Sequence, residues 1–163
     1  MQKILIILIM PFVSFGQLSI NDDNIIDAIN LWISNQDLAE SLYGDINAWD
    51  VASVTDMSYL FYNINEFNAD IGAWDVSNVS NMSNMFFNAA TFNQYIGNWD
   101  VSNVTDMSYM FGSMWIESSF DQYIGDWDVS NVTDMSYMFS GSNTFNQYIG
   151  DWDVSNVTDM SYM

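Results

Sequence analysis

The chain has 163 residues, half of them hydrophobic, which is enough apolar material for a sizeable buried core. Its 21 acidic residues face a single basic one, Lys3, so the usual Lys and Arg contacts to nucleic-acid phosphates and to anionic membranes are excluded. The absence of Cys and His excludes a disulfide framework, a thiolate zinc site and the usual catalytic triads.

Residues 1–16 read MQKILIILIMPFVSFG and predict a secretory signal peptide. Lys3 supplies a positive n-region, residues 4–13 an apolar h-region, and Ser14 and Gly16 a bacterial-looking cleavage site. The alternative is a membrane anchor, which the shortness of the apolar run disfavours. We therefore expect a secreted or cell-surface protein that is not inserted in the membrane after signal cleavage.

Residues 17–43 predict an N-terminal helical cap. Asn21, Asp22 and Asp23 are candidates for the helix N-cap. Apolar residues then recur at helical spacing, at Ile25, Ile29, Trp32 and Ile33. A second short helix is expected over 37–43, ending at Gly44 as its C-cap. We expect the first helix to cover the exposed edge of the first repeat.

Residues 44–163 predict about five tandem repeats, the last one incomplete. Trp-Asp pairs recur at intervals of 25, 25, 28 and 25 residues, at Trp49, Trp74, Trp99, Trp127 and Trp152. Each unit is too small to bury its own apolar side, so the units must stack into a solenoid. Within a unit, residues 99–101 predict a short parallel strand and residues 107–111 a single helical or 3₁₀ turn.

The unit FNQYIGNWDVSNVTDMSYMF, residues 92–111, resembles the repeat of the BspA-like leucine-rich-repeat bacterial surface proteins, a family that includes many mycoplasma lipoproteins. Leu31-Trp32-Ile33, followed by Tyr43-Gly44-Asp45-Ile46, also resembles the lead-in segment of that family. The resemblance covers roughly residues 20–163. It implies a leucine-rich-repeat-like solenoid at the cell surface that acts in adhesion or matrix binding, with no catalytic residues.

This sequence departs from that family in two ways. It has no Cys, so it is not a lipoprotein like some relatives. It also stops in mid-repeat at Met163, which favours a fragment of a longer protein.

Stacking would place equivalent side chains in columns about 4.8 Å apart. A first acidic column contains Asp50, Asp75, Asp100, Asp128 and Asp153, and a second contains Asp56, Asn81, Asp106, Asp134 and Asp159. Neighbouring carboxylates at this spacing repel by roughly 1 kcal/mol even in water, and calcium is a possible cofactor because it binds such oxygen ligands. The alternative is local bonding to backbone N–H groups in turns, which we favour for the second column. For the first column both interpretations stay open.

A third column contains Asn78, Asn103, Asn131 and Asn156. Each matches the acceptor pattern for N-glycosylation. The recurrence of the same Asn in successive repeats instead favours a ladder of hydrogen bonds between the repeats.

Two groups of residues are candidates for ligand binding. Tyr95, Tyr123 and Tyr148 precede a core Ile in three repeats and are expected to be exposed. Trp115 and Ile116 lie in a three-residue insertion within residues 112–119, the single irregular place in the repeats.

An enzyme is not expected, because each Asp recurs from repeat to repeat and no single carboxylate pair stands out. The first hypothesis is an adhesion or ligand-binding module whose partner is an extracellular protein or polysaccharide. The alternative is a structural, cation-dependent scaffold component of a surface or matrix.

Overall fold

The computed structural model describes residues 18–114 and 116–163, so the predicted signal peptide lies outside the described residues. Helix α1 spans Ile25–Ser34, helix α2 spans Gln36–Tyr43, and a short 3₁₀ helix spans Ile46–Ala48. None of the helices described is long and apolar enough to cross a membrane. The residue after helix α2 is Gly44, which is its C-cap, as predicted. Its φ of 80° is a conformation that glycine adopts readily.

Helix α1 packs its apolar face on the first repeats. Ile25 and Ile29 are buried in the shared core, and Trp32 packs edge-to-face on Phe67 with ring centroids 6.0 Å apart. Ile33, which the spacing placed on the same face, is 43% exposed. The N-cap prediction was wrong. Helix α1 begins at Ile25, so its N-cap residue is Asn24 and not Asn21, Asp22 or Asp23.

The interior of the repeats is built from columns of identical or similar side chains. Their Trp rings are all buried, and those of Trp127 and Trp152 stack 6.5 Å apart with planes inclined by 4°. A Phe column runs beside them, with Phe86 and Phe111 stacked at 5.6 Å. Identical residues at a fixed period therefore become parallel stacked rings, which bury apolar area along the whole array.

The prediction of a leucine-rich-repeat-like solenoid with a short parallel strand in each coil was wrong. The residues that the structure describes contain no strand, including residues 99–101, where one was expected. Neighbouring repeats are joined instead by four isolated parallel bridges, which link Asp56, Asn81, Asp106, Asp134 and Asp159 in succession.

The backbone conformation after each bridge explains why the bridges do not extend into strands. In the third repeat, the N–H groups of Met107, Tyr109 and Phe111 donate to carbonyl oxygens of the next repeat at 2.9–3.0 Å. The N–H of Met110, between them, turns back to the carbonyl of Met107 at 3.2 Å. Tyr109 has a φ of 57°, a left-handed conformation that interrupts an extended strand and a right-handed helix alike. The helical or 3₁₀ turn expected over residues 107–111 is therefore also absent, and a hydrogen-bonded turn takes its place.

Polar side chains add further hydrogen bonds between the repeats. The amide of Asn131 donates to the carbonyl of Ser102 at 2.7 Å, and the other three Asn of its column donate equivalently. This confirms the predicted Asn ladder. Buried indole N–H groups do the same, as Trp99 Nε1 shows by donating to the Ile71 carbonyl at 3.2 Å.

A carboxylate from the N-terminal segment completes the ladder of the first repeat. In later repeats a backbone N–H, such as that of Thr105, donates to the carbonyl of the preceding repeat at 2.8 Å. Thr55 has no preceding repeat, and its N–H and hydroxyl both donate to Asp22 at 2.7 Å, joined by the Asp56 N–H at 3.1 Å. Asp22 was predicted as a helix N-cap, but its carboxylate instead accepts hydrogen bonds from the first repeat.

Candidate ligand-binding surface

Three tyrosines form a column on the outer surface of the repeats, which we call the Tyr column. The side chains of this column are exposed, which confirms the prediction from the sequence: the exposed fractions are 47% for Tyr95, 39% for Tyr123 and 62% for Tyr148. Each ring lies over the glycine two residues further on: an added Cβ at Gly97 or Gly150 would come within 2.8–2.9 Å of it. The absence of side chains at these glycines therefore lets each ring lie flat against the backbone.

The hydroxyl group of each Tyr in the column is also fixed. Tyr123 donates to Asp126 at 2.9 Å and Tyr148 donates to Asp151 at 3.0 Å. These hydrogen bonds, first among several causes, raise the pKa of both phenols above its ordinary value of 10.0. In the earliest member, Tyr95, the acceptor is the neutral amide oxygen of Asn98 at 3.3 Å.

The Tyr column is limited to three repeats. In the second repeat the equivalent position is Asp70, whose carboxylate accepts the N–H of Gly72 at 3.0 Å. Three rings, each supported on one face and hydrogen-bonded at the tip, therefore form a pre-organised aromatic surface. Such a surface can stack on a sugar ring or a peptide with little loss of side-chain entropy.

The side chains of the first acidic column form local hydrogen bonds. Each accepts the N–H two residues on at 3.0–3.2 Å, and Asp75 also accepts the Ser77 hydroxyl at 2.6 Å. That hydroxyl, followed by the backbone N–H, lowers the pKa of Asp75, and equivalent bonds lower the pKa of Asp128 and Asp153. The second column accepts the same kind of bond at 2.8–2.9 Å, which confirms the local interpretation there.

Calcium binding by the first column stays a prediction. Among the residues described, no group of three or more acidic side chains comes together in a way that could hold a metal ion. Each carboxylate of this column already accepts a hydrogen bond from a backbone N–H group of its own turn.

The insertion contributes one of the predicted ligand-binding residues to the described surface. Ile116 is 39% exposed and lines a polar cavity of about 210 Å³ together with Met114, Glu117 and Asn143. Trp115, the other candidate in the insertion, lies outside the described residues.

The structure also shows an aromatic cavity that sequence reasoning missed. It has a volume of about 280 Å³ and is lined by Phe87, Tyr109, Ser113, Met114, Tyr137 and Ser140. Tyr109 and Tyr137 stack 4.5 Å apart with planes inclined by 4°, whereas Phe87 meets Tyr109 at 67°. The signal in the sequence was the Tyr that recurs within the SYM triplet, and Asn84 at the equivalent position of the second repeat hinted at the left-handed backbone there.

Comparison with known proteins identifies the family. Residues 32–115 and 112–163 match the family model described as "Mycoplasma protein of unknown function, DUF285", and these two matches cover well over half of the chain. The chain belongs to this DUF285 family. None of the curated proteins matches it, and neither does any solved structure.

Proposed function

We propose that this DUF285 protein is an exported, non-catalytic binding module that adheres to an extracellular protein or polysaccharide through the Tyr column. The observation that carries the proposal is the set of three exposed rings, each fixed by a glycine beneath it and a hydrogen bond at its hydroxyl. Exposed aromatic rings that are held in place are typical of binding surfaces, where Tyr is enriched.

The repetition of the surface favours a partner that is itself extended. One ring binds weakly, but neighbouring rings on a rigid array engage one chain together, so that the contacts reinforce one another. A polysaccharide chain or an extended peptide segment offers groups at several positions along such a column. Fixed rings lose little rotamer entropy on binding, which leaves more of the contact energy as affinity.

The sequence supports the location and the absence of catalysis. Residues 1–16 have the pattern of a secretory signal peptide, and the repeat resembles that of BspA-like bacterial surface proteins, for which adhesion is expected. The acidic residues recur from one repeat to the next, so that no single pair is distinguished as a catalytic acid and base.

A retention assay tests the proposal. Purified protein is passed over intact cells, immobilised extracellular polysaccharides and matrix proteins, with calcium or with chelator at matched ionic strength. Saturable retention on one target is the expected result. Absence of retention on every target, together with calcium-driven self-association, would overturn the proposal in favour of a cation-dependent scaffold.

A further inference from the structure

The insertion at residues 112–119 turns a repetitive surface into a singular one. The aromatic cavity and the polar cavity share Ser113 and Met114, so they adjoin at this point of the array. Met114 is 65% exposed, and its flexible thioether side chain forms a wall of both cavities. Both cavities depend on residues of the insertion, which the regular 25-residue unit does not contain.

The aromatic cavity presents ring edges and hydroxyl groups more than ring faces. Tyr137 is stacked between Tyr109 at 4.5 Å and Tyr162 at 4.7 Å, so neither of its faces is free for a sugar ring. Phe87 has one face on Tyr62 at 5.3 Å. What remains accessible is an apolar wall with Tyr and Ser oxygens, which accept hydrogen bonds from a donor-rich ligand.

The charge around the two cavities is negative, and the part of the chain that the structure describes contains no Lys, Arg or His to offset it. Glu117 lines the polar cavity, and the carboxylate of Asp159 is close enough to contribute to the raised pKa of Tyr137, for which desolvation is the largest cause. Lys3 is the only basic residue in 163, and the net charge is −20. A cation supplied by a partner would therefore meet an uncompensated negative field.

We propose that these adjoining cavities, the Met114 site, receive a Lys or Arg side chain from an extended segment of a partner protein. The aliphatic stem lies against Met114 and the aromatic wall, and the charged head donates to the oxygens of the cavity and pairs with Glu117. This inference rests on the proposed binding function and specifies it, since it names a basic protein rather than a neutral polysaccharide as one partner.

The test uses a fluorescent Lys/Gly peptide, its Arg/Gly counterpart and a peptide whose lysines are acetylated, titrated with the full protein. The basic peptides should bind with an affinity that falls as salt is added, and the acetylated peptide should not bind. Glu117→Gln should weaken binding about two- to fivefold, as expected for an exposed ion pair. Tyr137→Asn should weaken it by about fivefold, through loss of the ring edge and the hydroxyl group that line the aromatic cavity.

Two controls separate the Met114 site from general attraction to an acidic protein. Glu66→Gln removes the same charge from another exposed Glu, beside Trp32 and Phe67, and should leave peptide affinity unchanged. Asn is a suitable replacement for Tyr137, because Asn84 holds the equivalent left-handed position with a φ of 58°. Equal weakening by Glu66→Gln and Glu117→Gln, or binding of the acetylated peptide, would overturn the proposal.

A final comparison distinguishes failure of this inference from failure of the proposed function. A variant in which the three residues of the Tyr column are changed to Ala should still bind the basic peptides at the Met114 site. If basic peptides fail to bind wild-type protein while retention on a cell or matrix target persists, the Met114 inference alone is wrong. If retention fails and the peptides bind, the Tyr column is not the adhesive surface.

Discussion

Removal of the Asp22 carboxylate should loosen the first repeat, because Asp22 supplies the acceptors that a preceding repeat would provide. Its two oxygens accept three hydrogen bonds, from the N–H and hydroxyl of Thr55 at 2.7 Å and from the N–H of Asp56 at 3.1 Å. In Asp22→Ala all three donors lose this partner. In Asp22→Asn the remaining amide oxygen can still accept both backbone N–H groups, so we expect a smaller effect.

The magnitude follows from the number of bonds and their exposure. Hydrogen bonds to a charged group contribute about 1.5–3 kcal/mol each when buried, but solvent screens this exposed carboxylate and water can replace it. We therefore expect Asp22→Ala to lower the free energy of unfolding by about 1–2 kcal/mol, similar to the loss of a helix N-cap. For a chain of this size the corresponding shift in Tm is about 3–6 °C.

The stability that Asp22 contributes should decrease as the pH is lowered into the acid range. Partial desolvation acts to raise the pKa of Asp22, but the hydrogen bonds from Thr55 and Asp56 outweigh it and hold the pKa below its ordinary value of 3.8. Since the folded-state pKa is the lower one, the stabilisation is present above pH 3.8 and is lost as the pH falls through the folded-state value. The gap between wild type and Asp22→Ala should therefore narrow in acid.

Urea unfolding at pH 7 and at pH 3, combined with hydrogen exchange of the Thr55 and Asp56 amides, measures both effects. In Asp22→Ala, faster hydrogen exchange that is confined to the first repeat would locate the loss of stability at the hydrogen bonds of Asp22. Equal stability of Asp22→Ala and wild type, or equal losses for the Ala and Asn variants, would refute the capping role.

Three further changes test the packing of the repeats. Gly97→Ala should destabilise by about 1–3 kcal/mol, because its Cβ would lie 2.6 Å from the Tyr123 carbonyl oxygen, a backbone atom that cannot move freely; calorimetry should show a lower Tm. Asn131→Ala should cost about 1 kcal/mol in urea unfolding, since it removes the 2.7 Å bond to the Ser102 carbonyl, and an unchanged midpoint would contradict the ladder. Trp32→Phe should be nearly neutral or stabilising in the same assay, because the buried Trp32 Nε1 has no hydrogen-bond partner among the described residues. A decrease of more than about 2 kcal/mol in the free energy of unfolding would disprove this.

The columns of the core could be predicted from the sequence because the repeat itself encodes them. Trp99 and Trp127 stand in identical 13-residue stretches, so stacked repeats should place both in the same kind of environment, and both are indeed buried. The same reasoning predicted the Asn ladder and the exposure of the Tyr column. None of these inferences required knowledge of the backbone conformation.

The backbone could not be predicted from the Tyr positions, because Tyr has no preference for the left-handed conformation that it adopts in these repeats. Alternation over residues 99–101 is too short to distinguish a strand from a turn. Tyr109 adopts a left-handed φ of 57°, which Tyr itself does not indicate; the only hint was Asn84, a residue type that tolerates this conformation, at the equivalent position of the preceding repeat. Non-local contacts were equally hidden: Asp22 resembles an ordinary N-cap residue, yet it bonds to Thr55, 33 positions away.

The Tyr column is the most direct test of the binding account. We would measure saturation binding to the retained target for wild type, for the variant with Tyr95, Tyr123 and Tyr148 changed to Ala, and for the matched variant with Phe at all three positions. The Phe variant keeps the rings and loses only the hydroxyl bonds, so the account predicts a small loss of affinity, against a loss of tenfold or more for the Ala variant, at about 1 kcal/mol per ring. Equal affinity of the folded Ala variant and wild type would contradict the account.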